Sequence, residues 1–361
     1  MKKRKKEIIL ITVFVIIFLI FLSFPKSLSP PTMPTPSQSP SPKYFFSSLL
    51  DKTPQTTLIA VGDIMLGRYC NVQMLQNKDF KYPFLKTADF ISSADITFGN
   101  LEAPIVENCP TTETGMIFCS RPESVEGLKH AGFDILSIAN NHILNYGQKG
   151  LDQTKSLLAQ NNIFPSANDL IVKKTNNINF GFLSFDLLTY PNSPVLKKIK
   201  DSVSKVDILI VSLHWGNEYQ KKPAEWQKTL AHQAVDAGAK IIIGHHPHVT
   251  QPAEKYNNGL VLYSLGNFVF DQPWSEETKK GEIAKIIFEG KEINKFDSAE
   301  INKFDSYEIN KFVSAEINKF DSYEINKFDS YEINKFVSAE IKSYELFPIY
   351  IQNYCQPELL Q

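Results

Sequence analysis

The sequence predicts an α/β fold built mainly on a parallel sheet, and three observations carry that expectation. Apolar, β-branched runs of strand length alternate with amphipathic helical patterns, as in βαβ units. Five of those runs end on Asp, Asn, Glu or His, where open α/β sheets place their ligands. Two of the helical patterns close on a glycine, Gly132 and Gly238, the usual left-handed terminator.

The chain begins outside that pattern. Met1-Lys-Lys-Arg-Lys-Lys-Glu7 is basic, and Ile8–Phe24 is a seventeen-residue apolar run broken only by Thr12 and Ser23. That length is near the lower limit for a membrane-spanning helix. A secretory signal peptide has the same flank and core, but no small-x-small cleavage site follows and no Cys stands near for lipid attachment. The expectation is a signal-anchor at 8–24, with 1–7 cytoplasmic and everything after 24 outside the cell membrane. Residues 25–56 hold seven prolines by position 42 among Ser and Thr, and are expected to form an extended stalk. With a net charge of −1, nothing points to a nucleic-acid partner. Of the four cysteines, Cys109 and Cys119 flank a short polar loop, and a disulfide there suits an exported protein. Sequence alone does not pair Cys70 with Cys355.

The folded domain is expected over 57–291. Thr57–Val61 runs into Gly62-Asp63, with Arg68 just beyond. Asp95–Gly99 leads to Asn100 and Glu102, which alternate and can point the same way. Phe133–Ala139 ends on Asn140, Asn141 and His142. Val206–Leu213 ends on His214, and Ala239–Gly244 runs into His245-His-Pro-His248. Taken alone, a strand-end Asp is usually a cap, but the recurrence over five strands argues for a shared site. Helical patterns fill 123–131, 148–161 and 224–237; His130 and His232 lie inside them and read as ordinary surface histidines. The runs 178–185, 259–265 and 282–288 are assigned to a second sheet packed on the first. From Glu292 to Ala339 an octapeptide, Glu-Ile-Asn-Lys-Phe-Asp-Ser-Ala/Tyr with a Val-Ser-Ala variant, recurs six times. Its flanks read as a strand pair, so 292–339 is expected to be an insertion in a hairpin, with 340–361 completing the domain. A wall- or polymer-binding module is the functional alternative for the repeats.

Brought together, Asp63, Asn100, Glu102, Asn141, His214, His246 and His248 form a mixed oxygen and nitrogen donor set. It suits Mn²⁺, Zn²⁺ or Fe²⁺ better than Mg²⁺ or Ca²⁺. So many donors exceed the needs of one tetrahedral ion; two ions about 3.5–4 Å apart would use them and would serve in-line displacement at phosphorus. His142 is the expected proton donor to a leaving oxygen, and Arg68 the expected planar fork for a substrate phosphate or carboxylate.

The motifs Gly62-Asp-Ile-Met-Leu-Gly-Arg68, Gly99-Asn-Leu-Glu102, Ala139-Asn-Asn-His142, His214-Trp-Gly216, Gly244-His-His-Pro-His248 and Ser264-Leu-Gly-Asn-Phe268 together resemble the bacterial capsule-synthesis CapA family. That family is associated with poly-γ-glutamate capsule and is similar to calcineurin-like metallophosphoesterases. The resemblance implies a four-layer α/β/β/α sandwich, a dinuclear metal site, and a role beside other capsule-synthesis membrane proteins. Against the wider superfamily pattern, Met65 stands where a His is usual and Asn100 where a bridging Asp is usual; Glu102 is the candidate to bridge instead. Two functions follow: a metal-dependent phosphoester hydrolase of envelope polymer metabolism, or a non-catalytic component that holds or exports an anionic polymer. Amide hydrolysis at the same metals fits the donor set as well.

Overall fold

The computed structural model describes residues 55–292, 337–353 and 355–360. The expected anchor at 8–24, the stalk and most of the octapeptide repeats lie outside the described residues. Among the described residues no helix is long and apolar enough to cross a membrane.

Strand β1 (Gln55–Ile64) is followed by β2 (Ile96–Leu101), β3 (Ile135–Ser137) and β4 (Phe164–Ser166), all parallel and adjacent in that order. On its other side β1 pairs antiparallel with β12 (Lys280–Glu292). That strand pairs with β13 (Val337–Gln352), which pairs with β14 (Gln356–Leu359). A second sheet runs β5 (Ile171–Thr175), β6 (Ile178–Asp186), β7 (Ile208–His214), β8 (Ile241–His245), β10 (Gly259–Leu265), β9 (Thr250–Tyr256). Its four central strands, β6, β7, β8 and β10, are parallel.

Period-two alternation decides what each face covers. In β1, Leu58 and Ala60 join Phe98, Phe180, Phe182, Ile210 and Ile243 in a layer between the sheets. Ile59 and Val61 face the other way, among Met74, Leu128 and Leu158 of the helices Arg68–Asn77, Val125–His130 and Gly147–Gln160. The outer face of the second sheet, with Leu209, Val211, Ile242 and Val261, is covered by Ile199, Ala231 and Val235 of the helices Val195–Ser202 and Glu225–Asp236.

Two expectations are corrected here. The run 282–288 belongs to the first sheet, where β12 extends β1, not to the second. The five chemistry-bearing strand ends are also divided, three in the first sheet and those of β7 and β8 in the second. A strand's apolar content does not say which sheet it joins. Chain order places both β7 and β8 after the crossover into the second sheet. The β12–β13 ladder continues to Glu292–Val337, so the first residue and the last three of the 292–339 segment lie within the hairpin's ladder.

The sheets are joined at the site by a single glycine. After β10 the chain turns at Gly266 (φ +67°) and enters β11 (Asn267–Val269), which pairs parallel with β1. The Gly266 carbonyl accepts the Asp63 N–H at 3.0 Å. A Cβ on Gly62 would lie 2.1 Å from that oxygen, so the approach requires glycine at position 62.

Candidate metal centre

Register explains the convergence. Asp63 lies opposite Asn100 of β2 on one side and Asn267 of β11 on the other, while His214 of β7 lies opposite His245 of β8. The two sheets present these ends to one another.

Asp63 is the hub, fully buried. Its Oδ1 accepts from Asn100 Nδ2 at 2.9 Å and lies 3.1 Å from His245 Nδ1. Its Oδ2 accepts the His246 N–H at 3.2 Å and lies 3.3 Å from His248 Nδ1. Burial pushes the Asp63 carboxyl up, but the His245 and His248 hydrogen bonds outweigh it and hold the group well below the usual carboxylate range. Glu102 has no such support. Its Oε1 is buried without a hydrogen-bond partner, 3.6 Å from His248 Nε2 and 3.9 Å from His214 Nε2. Burial drives its carboxyl well above the usual range.

The imidazoles differ in the same way. His248 Nδ1 is 2.9 Å from Asn267 Oδ1, whose own amide nitrogen donates to Gln272 Oε1 and the Thr278 carbonyl. That fixes His248 as an Nδ1–H donor, with Nε2 turned to Glu102. Burial opposes its charge, but Glu102 and Asp63 raise it to about 9. Burial, with His248 alongside, lowers His246 to about 4, and burial takes His214 well below its ordinary value. His246 (φ +94°) and His248 (φ +57°) both hold positive-φ backbone conformations, which are uncommon for residues other than glycine and concentrate at functional sites.

All seven expected donors lie in this one cluster. His214 Nε2 meets Asn141 Oδ1 at 2.9 Å, and its ring centroid is 5.0 Å from that of His246. Asn100 departs from expectation in orientation. Its nitrogen, not its oxygen, faces Asp63, Glu102 and His214, and its Oδ1 accepts from Asn140 Nδ2 at 3.2 Å. To serve as a ligand the amide would have to turn over. Met65 packs its side chain with Ala103, Phe118 and Phe270.

Arg68 is also placed otherwise than expected. It is buried, pairs through Nη2 and through Nε (3.0 Å) with Asp271 Oδ1, and donates from Nη1 to the Gly115 carbonyl at 3.0 Å. Its fork is filled by the protein's own carboxylate. His142 is buried beside the cluster, stacked on Phe118 with centroids 3.9 Å apart, and burial lowers its pKa. The expected Cys109–Cys119 disulfide is present. Cys70 and Cys355 meet in the helix-covered core of the first sheet, where burial and the neighbouring thiol push Cys70 well up.

The match to known proteins covers this region. Residues 57–272 match the family described as bacterial capsule synthesis protein PGA_cap. The chain belongs to that family. Among its relatives is the capsule biosynthesis protein CapA of Bacillus anthracis, 32% identical over 250 residues (61% of each chain). The PGA biosynthesis protein CapA of Bacillus subtilis (strain 168) is 33% identical over 241 residues, 60% of this chain and 63% of that one. The chain therefore spans about six tenths of the length of these relatives. Among solved structures, a hypothetical protein from Thermus thermophilus aligns at TM-score 0.44 and 14% identity over 64% of this chain and 92% of that one. A novel phosphatase from Mycoplasma pneumoniae aligns at 0.42 and 16%, over 66% and 89%.

In this PGA_cap member the sequence reading missed several participants. His245 was overlooked between its neighbours, although it is the last residue of β8 and one of the groups that hold Asp63. Glu218 forms a second group of ligating atoms with His246 and His248, all within 4.8 Å of one another; an acid four residues beyond His214 was the available signal. Asn267, which orients His248, stood in the motif Ser264-Leu-Gly-Asn-Phe268 without a role. The donor set fits a divalent cation. Glu102 Oε1, His245 Nε2 and His246 Nδ1 are buried with no hydrogen-bond partner, and Asp63, Glu102 and His214 bring ligating atoms within 4.8 Å of one another.

Proposed function

We propose that this chain is a metal-dependent phosphoester hydrolase of capsule or other envelope polymer metabolism, with a calcineurin-like arrangement of its two sheets. The observation that carries the reading is Glu102: a wholly buried carboxylate with an unpartnered oxygen between the imidazoles of His214 and His248, a setting that a divalent cation would make favourable. Asp63, Glu102, His214, His246, His248 and Glu218 would hold one or two ions of the Mn²⁺, Zn²⁺ or Fe²⁺ type, and such ions supply Lewis acidity and an activated water. His142 gives a proton to the leaving oxygen, and Asn141 holds His214 in place. The proposal extends to location and partners: 8–24 anchors the protein in the cell membrane with the folded domain outside, beside other capsule-synthesis membrane proteins and an anionic polymer.

The test is elemental analysis of the purified full chain for Mn, Zn and Fe, with hydrolysis of a generic aryl phosphate by wild type, His142→Ala and His246→Ala. Stoichiometric metal, lost in His246→Ala, and turnover lost in both variants are expected. Activity indifferent to both substitutions would remove the enzyme reading. The orientation of Asn100, which sets an amide nitrogen between Asp63 and Glu102, favours a second reading: a non-catalytic or weakly catalytic component that holds or exports an anionic polymer such as poly-γ-glutamate. Retention of that polymer by a chain that neither binds metal nor cleaves phosphoesters would select it.

A further inference from the structure

The loop closed by Cys109–Cys119 reaches into the site. Its base is pinned by the Ser120 N–H to the Pro104 carbonyl at 2.9 Å and the Val106 N–H to the Ser120 carbonyl at 2.9 Å. Its tip exposes Met116 and Ile117, but Phe118, next to the bridged Cys119, turns inward and is buried. One face of Phe118 stacks on His142, at 3.9 Å and an interplanar angle of 26°. The Arg68 guanidinium carbon lies 4.7 Å from the centroid of the same ring, and Gly115 of the same loop accepts from Arg68. Phe270 then links Phe118 (6.0 Å) to His248 (4.7 Å), so the ring of His142 is tied through aromatic contacts to a ligand candidate.

A second contact fixes the ring chemically. Asn145 Oδ1 accepts the Phe118 backbone N–H at 2.6 Å, and a backbone N–H can donate only to the amide oxygen, so the orientation of Asn145 is settled. The same oxygen lies 3.1 Å from His142 Nδ1. An oxygen already accepting from one donor and facing a ring nitrogen calls for Nδ1–H there. Nε2 of the neutral ring therefore carries the lone pair, and it is at Nε2 that the ring takes up the proton it would give to a leaving oxygen.

We propose that Phe118 and Asn145 are positioning residues for His142: the Cys109–Cys119 bridge holds Phe118 as the plate on which the ring lies, and Asn145 selects the Nδ1–H tautomer. The bridge is then part of the site and not only a surface staple. For its kinetic consequence the proposal rests on the hydrolytic reading; for the state of the ring it does not.

The experiment uses the full chain labelled with ¹⁵N-histidine. Long-range ¹H–¹⁵N correlation is expected to show His142 as the Nδ1–H tautomer, with its ring protons shifted upfield by Phe118. Asn145→Ala loses the tautomer signature and Asn145→Asp, which keeps an acceptor, retains it. Phe118→Leu and the pair Cys109→Ser with Cys119→Ser lose the upfield shift, while thermal melting confirms that each variant is folded. On an aryl phosphate, Asn145→Ala and Phe118→Leu lower kcat by about tenfold or more with KM within about twofold, and Asn145→Asp recovers most of the loss. An Nε2–H tautomer in the wild type, or a tautomer unchanged in Asn145→Ala, overturns the role of Asn145. An upfield shift that survives loss of the bridge overturns the role of the loop. Should the wild type hydrolyse nothing, the hydrolytic reading fails and the two spectroscopic outcomes still decide the proposal.

Discussion

Replacing Asp271 with alanine tests whether Arg68 serves the fold or the substrate. The Asp271 carboxylate accepts from Arg68 Nε and Nη2 and from the Tyr69 N–H at 3.0 Å, and both charged side chains are buried. Burial raises the Asp271 carboxyl and Arg68 opposes that rise, so each partner makes the other's charge tolerable. Deleting the acid leaves a buried guanidinium whose remaining hydrogen bonds in this structure run only to backbone carbonyls, that of Gly115 at 3.0 Å and that of residue 271 at 3.4 Å. Breaking a buried ion pair from one side costs about 3–5 kcal/mol, a large share of the roughly 5–15 kcal/mol that stabilises a typical domain. Asp271→Asn, which keeps an acceptor oxygen, is expected to cost about 1–3 kcal/mol. The double variant Arg68→Met with Asp271→Leu is expected to cost less than Asp271→Ala alone, because no unpaired charge remains. The assay is urea unfolding at neutral pH, at low salt and at about 1 M salt; a buried pair should be little affected by screening. The reasoning is refuted if Asp271→Ala costs under about 1 kcal/mol, or if the two sites add within about 0.5 kcal/mol. A rise in KM with stability intact would return Arg68 to substrate binding.

Gly244→Ala places a Cβ 1.9 Å from the Tyr263 carbonyl oxygen and 2.6 Å from Trp215 Nε1, forcing β8 from β10; a loss of about 3 kcal/mol or more in urea unfolding is expected. In the chelator-treated chain, Glu102→Gln is expected to melt no lower than wild type. The raised carboxyl means the folded state keeps its proton to higher pH than the unfolded one, so its cost is absent below the unfolded value and grows as pH rises. Thermal melts from pH 5 to 8 read the difference, which should widen with pH. Adding Mn²⁺ or Zn²⁺ at about 100 times its Kd should stabilise the wild type by about 2.7 kcal/mol, and Glu102→Gln and His246→Ala should lose most of that gain. Calorimetric scans with and without metal check it.

The site was legible in the sequence where metal-ligating residue types recur at strand ends, because a parallel strand must deliver its last side chains to one edge. Asp63, Glu102, His214 and His248 were found that way. Residues that act by holding others were not: His245 pairs with Asp63 across 182 positions and Asn267 orients His248 across 19, and no local pattern announces a partner chosen by folding. Arg68 misled for the same reason. A planar fork beside a catalytic-looking Asp reads as a substrate clamp until Asp271, 203 residues on, is seen to occupy it.

Alternation and strand length in the sequence by themselves determined the parallel strands, the helices between them, and which residue types stand at each tip. Only the tertiary structure decided that β7 and β8 leave the first sheet, that β12 joins it, and that the two sets of tips meet at Gly266. The physical reason is that periodicity specifies a face to be buried but not its partner. That choice is made by packing the whole set of faces at once, and the buried polar contacts of the site follow from it.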